Sequence, residues 1–89
     1  MEITPGQVVY SKCGRDKGCA FIVISVEEDY LYLADGKVRR LERPKRKKLK
    51  HIQPTKRVFA EIGEKIMNGA YLLDADLRKA LKSIAHVKA

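Results

Sequence analysis

The 89-residue sequence has no tryptophan and contains only two histidines, two cysteines and three prolines. Cys13 and Cys19 are separated by five residues, a spacing that does not match a zinc hook. No apolar run approaches the roughly 20 residues that a membrane-spanning helix needs. The sequence therefore predicts no metal site, no cofactor and no membrane partner.

We also expect no signal peptide, because residues 1–5 have neither a basic start nor an apolar run. We therefore expect a soluble, cytoplasmic protein whose two thiols are free in a reducing compartment. The cysteines flank a turn, so a regulatory disulfide across a hairpin is kept as the less favoured alternative.

Patterns typical of enzymes are absent as well. Residues 27–29 are acidic but form one polar turn, and no phosphate-binding glycine loop or Ser, His and Asp set is indicated. His51 lacks a second ligand beside it, and His86 is expected to be solvated near the chain end. We predict a protein that is not an enzyme and has no small-molecule substrate.

Positive charge is abundant and concentrated. Residues 37–57, here called the basic stretch, hold eleven Lys or Arg and one acid, Glu42. The stretch carries a net +10 in a chain whose total is +8, so the remaining residues sum to −2. Such a concentration repels itself unless a polyanion neutralises it, and nucleic-acid phosphate is the commonest one. A solvated basic face and a membrane-surface patch are the alternatives, and the lack of aromatic anchors in the stretch disfavours a membrane.

Residues 1–54 have the pattern of short β-strands. Apolar or β-branched runs predict strands at 7–12, 20–26 and 30–34, with Leu31 and Leu33 on one face and Tyr30 and Tyr32 on the other. The second run is apolar enough to be buried on both faces.

Two further strands are predicted beyond these. The pair Asp35-Gly36 predicts a tight hairpin into a fourth strand at 37–42, which Pro44 ends. A fifth strand is predicted at 48–52 and ended by Pro54. Five short strands suit a small, strongly bent barrel, since closure removes exposed edges.

The pattern becomes helical at residue 55. The first helix is expected to begin at Thr55 as N-cap and to end at Gly69, and the second to begin at Asp74 as N-cap. The fold class is therefore mainly β with an α appendage: a five-stranded barrel in 1–54 and two short helices in 55–89. Three alternatives stay open for the apolar faces of the helices. The faces could pack on each other, close one mouth of the barrel, or bind another protein.

A glycine-rich turn connects the first two predicted strands. Segment 6–35 resembles a KOW motif, the strand–turn–strand of several ribosomal proteins and of NusG-type and Spt5-type elongation factors. The residues that carry the resemblance are Gly6-Gln7-Val8-Val9, Gly14-Arg15-Asp16-Lys17-Gly18 and Phe21-Ile22-Val23. In the turn, Gly14 and Gly18 supply the backbone freedom and the Asp16 carboxylate is expected to cap it.

A second resemblance covers residues 44–55. This segment is similar to the strand and exit loop of the archaeal and eukaryotic large-subunit ribosomal protein fourteen family, a pattern shared by short bacterial KOW-domain RNA-binding proteins. The resemblance implies an SH3-like barrel that binds RNA, ribosomal RNA first, with neighbouring ribosomal proteins as further partners. The two cysteines depart from the small or basic residues expected around the turn.

The predicted RNA-binding residues combine the turn with the basic stretch. They are Arg15, Lys17, Arg39, Arg40, Arg43, Lys45, Arg46, Lys47, Lys48, Lys50 and His51, with Gly14, Asp16 and Gly18 shaping the turn. Arginine binds phosphate in a bidentate manner and lysine acts as a point charge. Tyr30 and Tyr32 either stack on unpaired bases or cover the barrel.

Two other functions are kept as alternatives to RNA binding. One is a protein-interaction module that uses the apolar residues of the helices, and the other is a transcription-elongation accessory factor. The residues proposed for the protein surface are Phe59, Ile62, Ile66, Leu77 and Leu81.

Overall fold

The computed structural model describes residues 2–85, so the expectation for His86 lies outside the described residues. The strands are β1 (Gln7–Ser11), β2 (Ala20–Glu27), β3 (Tyr30–Ala34), β4 (Lys45–Lys48) and β5 (Ile52–Val58). A 3-10 turn (Leu49–His51) links β4 to β5, and the helices are α1 (Ala60–Met67) and α2 (Asp74–Ala85). One antiparallel sheet has the strand order β4-β3-β2-β1-β5. The predicted fold class, mainly β followed by two helices, is confirmed.

The inner face of the sheet encloses the first core. Leu31 and Leu33 of β3 are buried, whereas Tyr30 and Tyr32 are only half-buried, so the predicted alternation is confirmed. Ile52 of β5 belongs to the same cluster as these leucines, although β2 and β1 lie between the two strands. The sheet must therefore curl around this core, as a small barrel does.

The outer face of the sheet carries a second core under the helices. Ile22 of β2 and Ala34 of β3 pack with Ile62 of α1 and Leu77 of α2. Phe21 and Val23 of β2 face the inner core, so β2 is buried on both sides, as its apolar sequence predicts. The helices thus pack on the outside of the sheet, and the five apolar residues proposed as a protein-binding surface contribute to this core.

The fourth strand is not where the sequence predicts it. Residues 36–44 form a loop, here called the basic loop, and β4 begins only at Lys45, after Pro44. The Asp35 carboxylate accepts hydrogen bonds from the backbone of Lys37 (2.9 Å) and Arg39 (2.8 Å). These side-chain bonds turn the backbone away from the two-residue hairpin that Asp35-Gly36 suggests.

The fifth strand and the first helix begin later than predicted. Residues 49–51 are the 3-10 turn, and β5 continues through Pro54, which an edge strand tolerates because one side of its backbone makes no ladder bonds. Thr55 is not a helix N-cap. Its hydroxyl donates to the carbonyl of Val8 in β1 at 2.7 Å, and α1 starts at Ala60. The predicted boundary between residues 54 and 55 falls inside β5.

The predictions for the helix ends are partly confirmed. Gly69 follows α1 with φ of +66°, as a helix C-terminus favours. Asp74 is the first residue of α2, but its carboxylate accepts from the backbone N–H of Leu41 in the basic loop at 2.8 Å. The Asp76 carboxylate instead accepts from Leu73 N at 2.9 Å and stabilises the start of α2. The Asp74 carboxylate, which the sequence predicts to cap α2, thus stabilises the basic loop instead.

Candidate nucleic-acid interface

The turn of residues 14–18, here called the glycine turn, joins β1 to β2. Gly14 and Gly18 have φ angles of +81° and +85°, which residues with a Cβ rarely adopt. A backbone hydrogen bond from Lys17 N to Gly14 O, 3.2 Å long, closes the turn. Arg15 and Lys17 are exposed at its tip. Their charges are therefore available to a partner in solution.

Two side chains of the basic stretch reach the glycine turn. Arg39 Nη2 in the basic loop lies 3.0 Å from Asp16 Oδ2, and Lys47 Nζ in β4 donates to the carbonyl of Cys13 at 2.9 Å. The turn is thus tied at two points to segments that are more than 20 residues away in sequence. These contacts bring the two parts of the predicted interface onto one side of the molecule.

Arg39 and Asp16 form a partly shielded ion pair. Their side chains are 28% and 14% exposed, and Arg39 Nε is buried without a hydrogen-bond partner within residues 2–85. The Asp16 carboxylate, which the sequence predicts to cap its own turn, has Arg39 as its hydrogen-bond partner through Oδ2. Arg39 and Lys47 hold the interface together, and the exposed cations around them are free to meet a ligand.

The two faces of β4 carry different chemistry. Lys45 and Lys47 are paired with Leu33 and Leu31 and share their side of the sheet. Both lysines are half-buried, as long side chains are when their apolar stems lie along a protein surface.

Arg46 and Lys48 lie on the opposite side of β4, and both are exposed. They are paired with Tyr32 and Tyr30. The Arg46 guanidinium carbon lies 3.6 Å from the centroid of the Tyr30 ring, a cation–π contact that fixes the orientation of both groups. This outer face therefore combines aromatic rings with positive charge, a combination that suits the bases and phosphates of RNA.

The basic loop concentrates exposed arginines. Arg40 and Arg43 are exposed, and a backbone hydrogen bond of 3.0 Å from Arg43 N to Arg40 O holds them on one turn. A shallow depression runs from this loop into β4, lined by residues 38–40 and 42–46. Glu42 is the acid among these residues. The two exposed arginines of this loop add to the four cations of the adjoining strand β4.

Helix α2 anchors the basic loop, and no sequence pattern predicts this contact. Arg78 Nη1 donates to the carbonyl of Gly36 at 2.6 Å, and the Asp74 carboxylate accepts from Leu41 N at 2.8 Å. Gly36 has φ of +77°, and a Cβ there would overlap the carbonyl oxygen of Asp74. A glycine after an aspartate signals a turn, but nothing in the sequence signals that a helix 40 residues later packs on it.

The 3-10 turn carries the remaining predicted residues. Lys50 is exposed, and His51 is half-buried, with its carbonyl accepting from Lys12 N at 2.8 Å. Arg15, Lys17, Arg40, Arg43, Arg46, Lys48 and Lys50 are thus the predicted cations that are exposed.

Metal-ligating groups do not gather at this interface. Cys13 is half-buried, Cys19 is exposed, and both thiols are free. Across residues 2–85, no three His, Cys, Asp or Glu side chains come close enough to hold a metal ion. In the same part of the chain, neither helix has the length and apolarity to cross a bilayer.

Comparison with known proteins adds no assignment. The chain matches no protein-family model and no curated protein sequence. The geometry and the charge of the candidate interface are the features that bear on function.

Proposed function

We propose that this protein binds structured RNA, ribosomal RNA first, through the glycine turn, the basic loop and the outer face of β4. In this proposal it acts in the cytoplasm as a KOW-type component or accessory factor of the ribosome. The exposed cations neutralise backbone phosphates, and the rigid frame of the sheet sets their spacing to the shape of the RNA.

The observation that carries the proposal is the joining of the glycine turn to the basic stretch. The Arg39–Asp16 ion pair and the bond from Lys47 to the Cys13 carbonyl hold two basic segments together across the fold. A stretch with a net charge of +10 is held on a folded frame and is not a loose tail. Such a frame offers an array of phosphate contacts whose geometry is set before binding, which lowers the entropy lost on association.

A membrane surface is a poorer partner for this face. Binding to a bilayer requires apolar side chains that enter the headgroup region beside the cations. The helices pack their apolar stripes on the sheet through Ile62 and Leu77, so neither helix offers an amphipathic surface of this kind.

The test compares two triple variants that remove the same charge. One replaces exposed interface cations, Arg40→Ala, Arg43→Ala and Lys48→Ala. The control replaces lysines outside the basic stretch, Lys65→Ala, Lys79→Ala and Lys82→Ala. Affinity for ribosomal RNA fragments is measured by filter binding at several salt concentrations. Each lost phosphate contact lowers the slope of log K against log salt by about 0.7 to 0.9, so the interface variant should lose a slope of about 2 and the control much less.

Equal slopes of log K against log salt for the two variants would show that RNA binding depends on the total positive charge and not on a defined surface. An affinity for ribosomal RNA that does not change with salt would refute phosphate-driven binding altogether.

A protein-binding role is the second candidate, favoured by exposed apolar residues at the end of α1 and in the connection to α2. Met67 and Tyr71 are 74% and 82% exposed, and Leu73 is 45% exposed. Co-sedimentation separates the two functions. RNA binding predicts a salt-sensitive association with ribosomes that RNase abolishes, whereas a protein complex survives both treatments. Migration with RNA polymerase instead of ribosomes would favour an elongation factor.

A further inference from the structure

A small cleft lies at one end of the interface, where the turn between β2 and β3 meets the 3-10 turn. Its walls are formed by Asp29, Tyr30, Lys48, Leu49 and Lys50. The cleft opens beside the outer face of β4, so a ligand bound along the interface passes its mouth.

The walls of the cleft are fixed before any ligand arrives. Leu49 N donates to the Asp29 carbonyl at 2.7 Å, which joins the two turns. Tyr30 is paired with Lys48 in the sheet, and its ring is held by the Arg46 guanidinium at 3.6 Å. A preformed cleft loses little conformational entropy when it is filled.

The chemistry of the cleft is that of a nucleobase site. Tyr30 supplies an aromatic ring and Leu49, 40% exposed, supplies an aliphatic surface. Lys48 and Lys50 are exposed cations on the same cleft, and Asp29 brings an exposed carboxylate. The two lysines attract a phosphate and the carboxylate repels it, whereas a flat base with N–H donors packs on the ring and the leucine and donates to the carboxylate.

We propose that this cleft binds one unpaired base of the RNA and selects guanine. The Watson–Crick edge of guanine presents two adjacent donors, N1–H and the N2 amino group, that match the two oxygens of the Asp29 carboxylate. Uracil has a single ring N–H donor on that edge. Lys48 and Lys50 bind the flanking phosphates. This inference rests on the proposed RNA binding and adds to it a defined base site.

The first experiment measures the affinity of the whole chain for short single-stranded RNAs that differ only in one central base. Guanine is expected to bind about tenfold more tightly than uracil, in the range of discrimination that one bidentate hydrogen-bonded pair gives. Equal affinity for all four bases would overturn the inference, although salt-dependent binding of ribosomal RNA would leave the proposed function intact.

Two matched pairs of variants then locate the site. Asp29→Asn is expected to remove the preference for guanine, while its control Glu28→Gln, which changes the same charge one residue away, keeps it. Leu49→Ala is expected to weaken binding of the guanine RNA about tenfold, while Leu73→Ala, a leucine of similar exposure (45%) outside the interface, does not. Variants that behave like their controls would refute the site.

A titration with mononucleotides separates base recognition from phosphate binding. Guanosine monophosphate should shift the backbone amide signals of Asp29, Tyr30 and Leu49 in NMR spectra, and uridine monophosphate should shift them far less. Equal shifts with the two nucleotides would show phosphate binding alone. A cleft that binds an aromatic peptide and no guanine nucleotide would make it a protein site and overturn the inference.

Discussion

The ion pair of Asp16 and Arg39 joins the glycine turn to the basic loop. Its groups are too shielded to be fully hydrated, and Arg39 Nε is already buried without a partner within the described residues. Removing one member therefore leaves the other partly desolvated and unpaired, which costs more than the pair itself contributes. At the scale of single residues, Asp16 holds a cation of the predicted interface in place.

A double-mutant cycle measures this coupling. Asp16→Asn and Arg39→Gln are each expected to lower the free energy of unfolding by about 1 kcal/mol, since the pair is partly exposed. The double variant should lose less than the sum of the two, as chemical denaturation would show. Additive losses would mean that the two side chains do not interact in solution.

The contact between α2 and the basic loop operates at the scale of elements. Asp74 and Arg78 bind the backbone of the loop at Leu41 and Gly36. The helix thus supports the basic loop, although its own exposed residues are not part of the predicted interface. The close approach depends on Gly36, which has no side chain to separate the loop from the helix.

Gly36→Ala tests this support. The substitution meets both an unfavourable φ and the carbonyl of Asp74, so we expect a loss of about 2 to 4 kcal/mol in the free energy of unfolding. The control is Gly69→Ala, which also has a positive φ but has no atom within 4 Å of the added Cβ. It should lose only about 1 kcal/mol. Equal losses in thermal or urea unfolding would show that the loop moves off the helix at little cost.

At the scale of the whole molecule, β2 joins the two cores. Phe21 and Val23 lie in the inner core, and Ile22 lies in the outer core with Leu77 of α2. Loosening the helices would therefore expose one face of the central strand and release the basic loop. The helical end and the sheet are expected to unfold together, as small domains with shared cores do.

Leu77→Ala tests this cooperativity. Truncating a side chain that is fully buried should cost about 2 to 5 kcal/mol. Helix content is followed by circular dichroism, and the sheet by tyrosine fluorescence in a Tyr71→Phe background, which leaves tyrosines only on β1 and β3. Both signals should shift to the same lower midpoint. Separate midpoints would show that residues 60–85 unfold as an independent unit.

The sequence determined the features that depend on local patterns. Strands β1 to β3, the alternation of Leu31 and Leu33 with the tyrosines, the two-sided burial of β2 and the glycine turn all follow from apolar periodicity and glycine placement. The position of the positive charge also follows from the sequence, because it requires only a count of the charged residues. These features are set by interactions between near neighbours along the chain.

The tertiary structure decided the secondary structure and the neighbours of the basic segments. The predicted strand at 37–42 became a loop because Asp35 binds its backbone and because Asp74 and Arg78, far along the chain, bind it as well. The glycine turn and the basic stretch meet through two contacts between distant residues. Hydrogen bonds of this kind depend on where the folded chain brings each group. No local sequence pattern specifies that position, so the candidate interface forms only when the chain is folded.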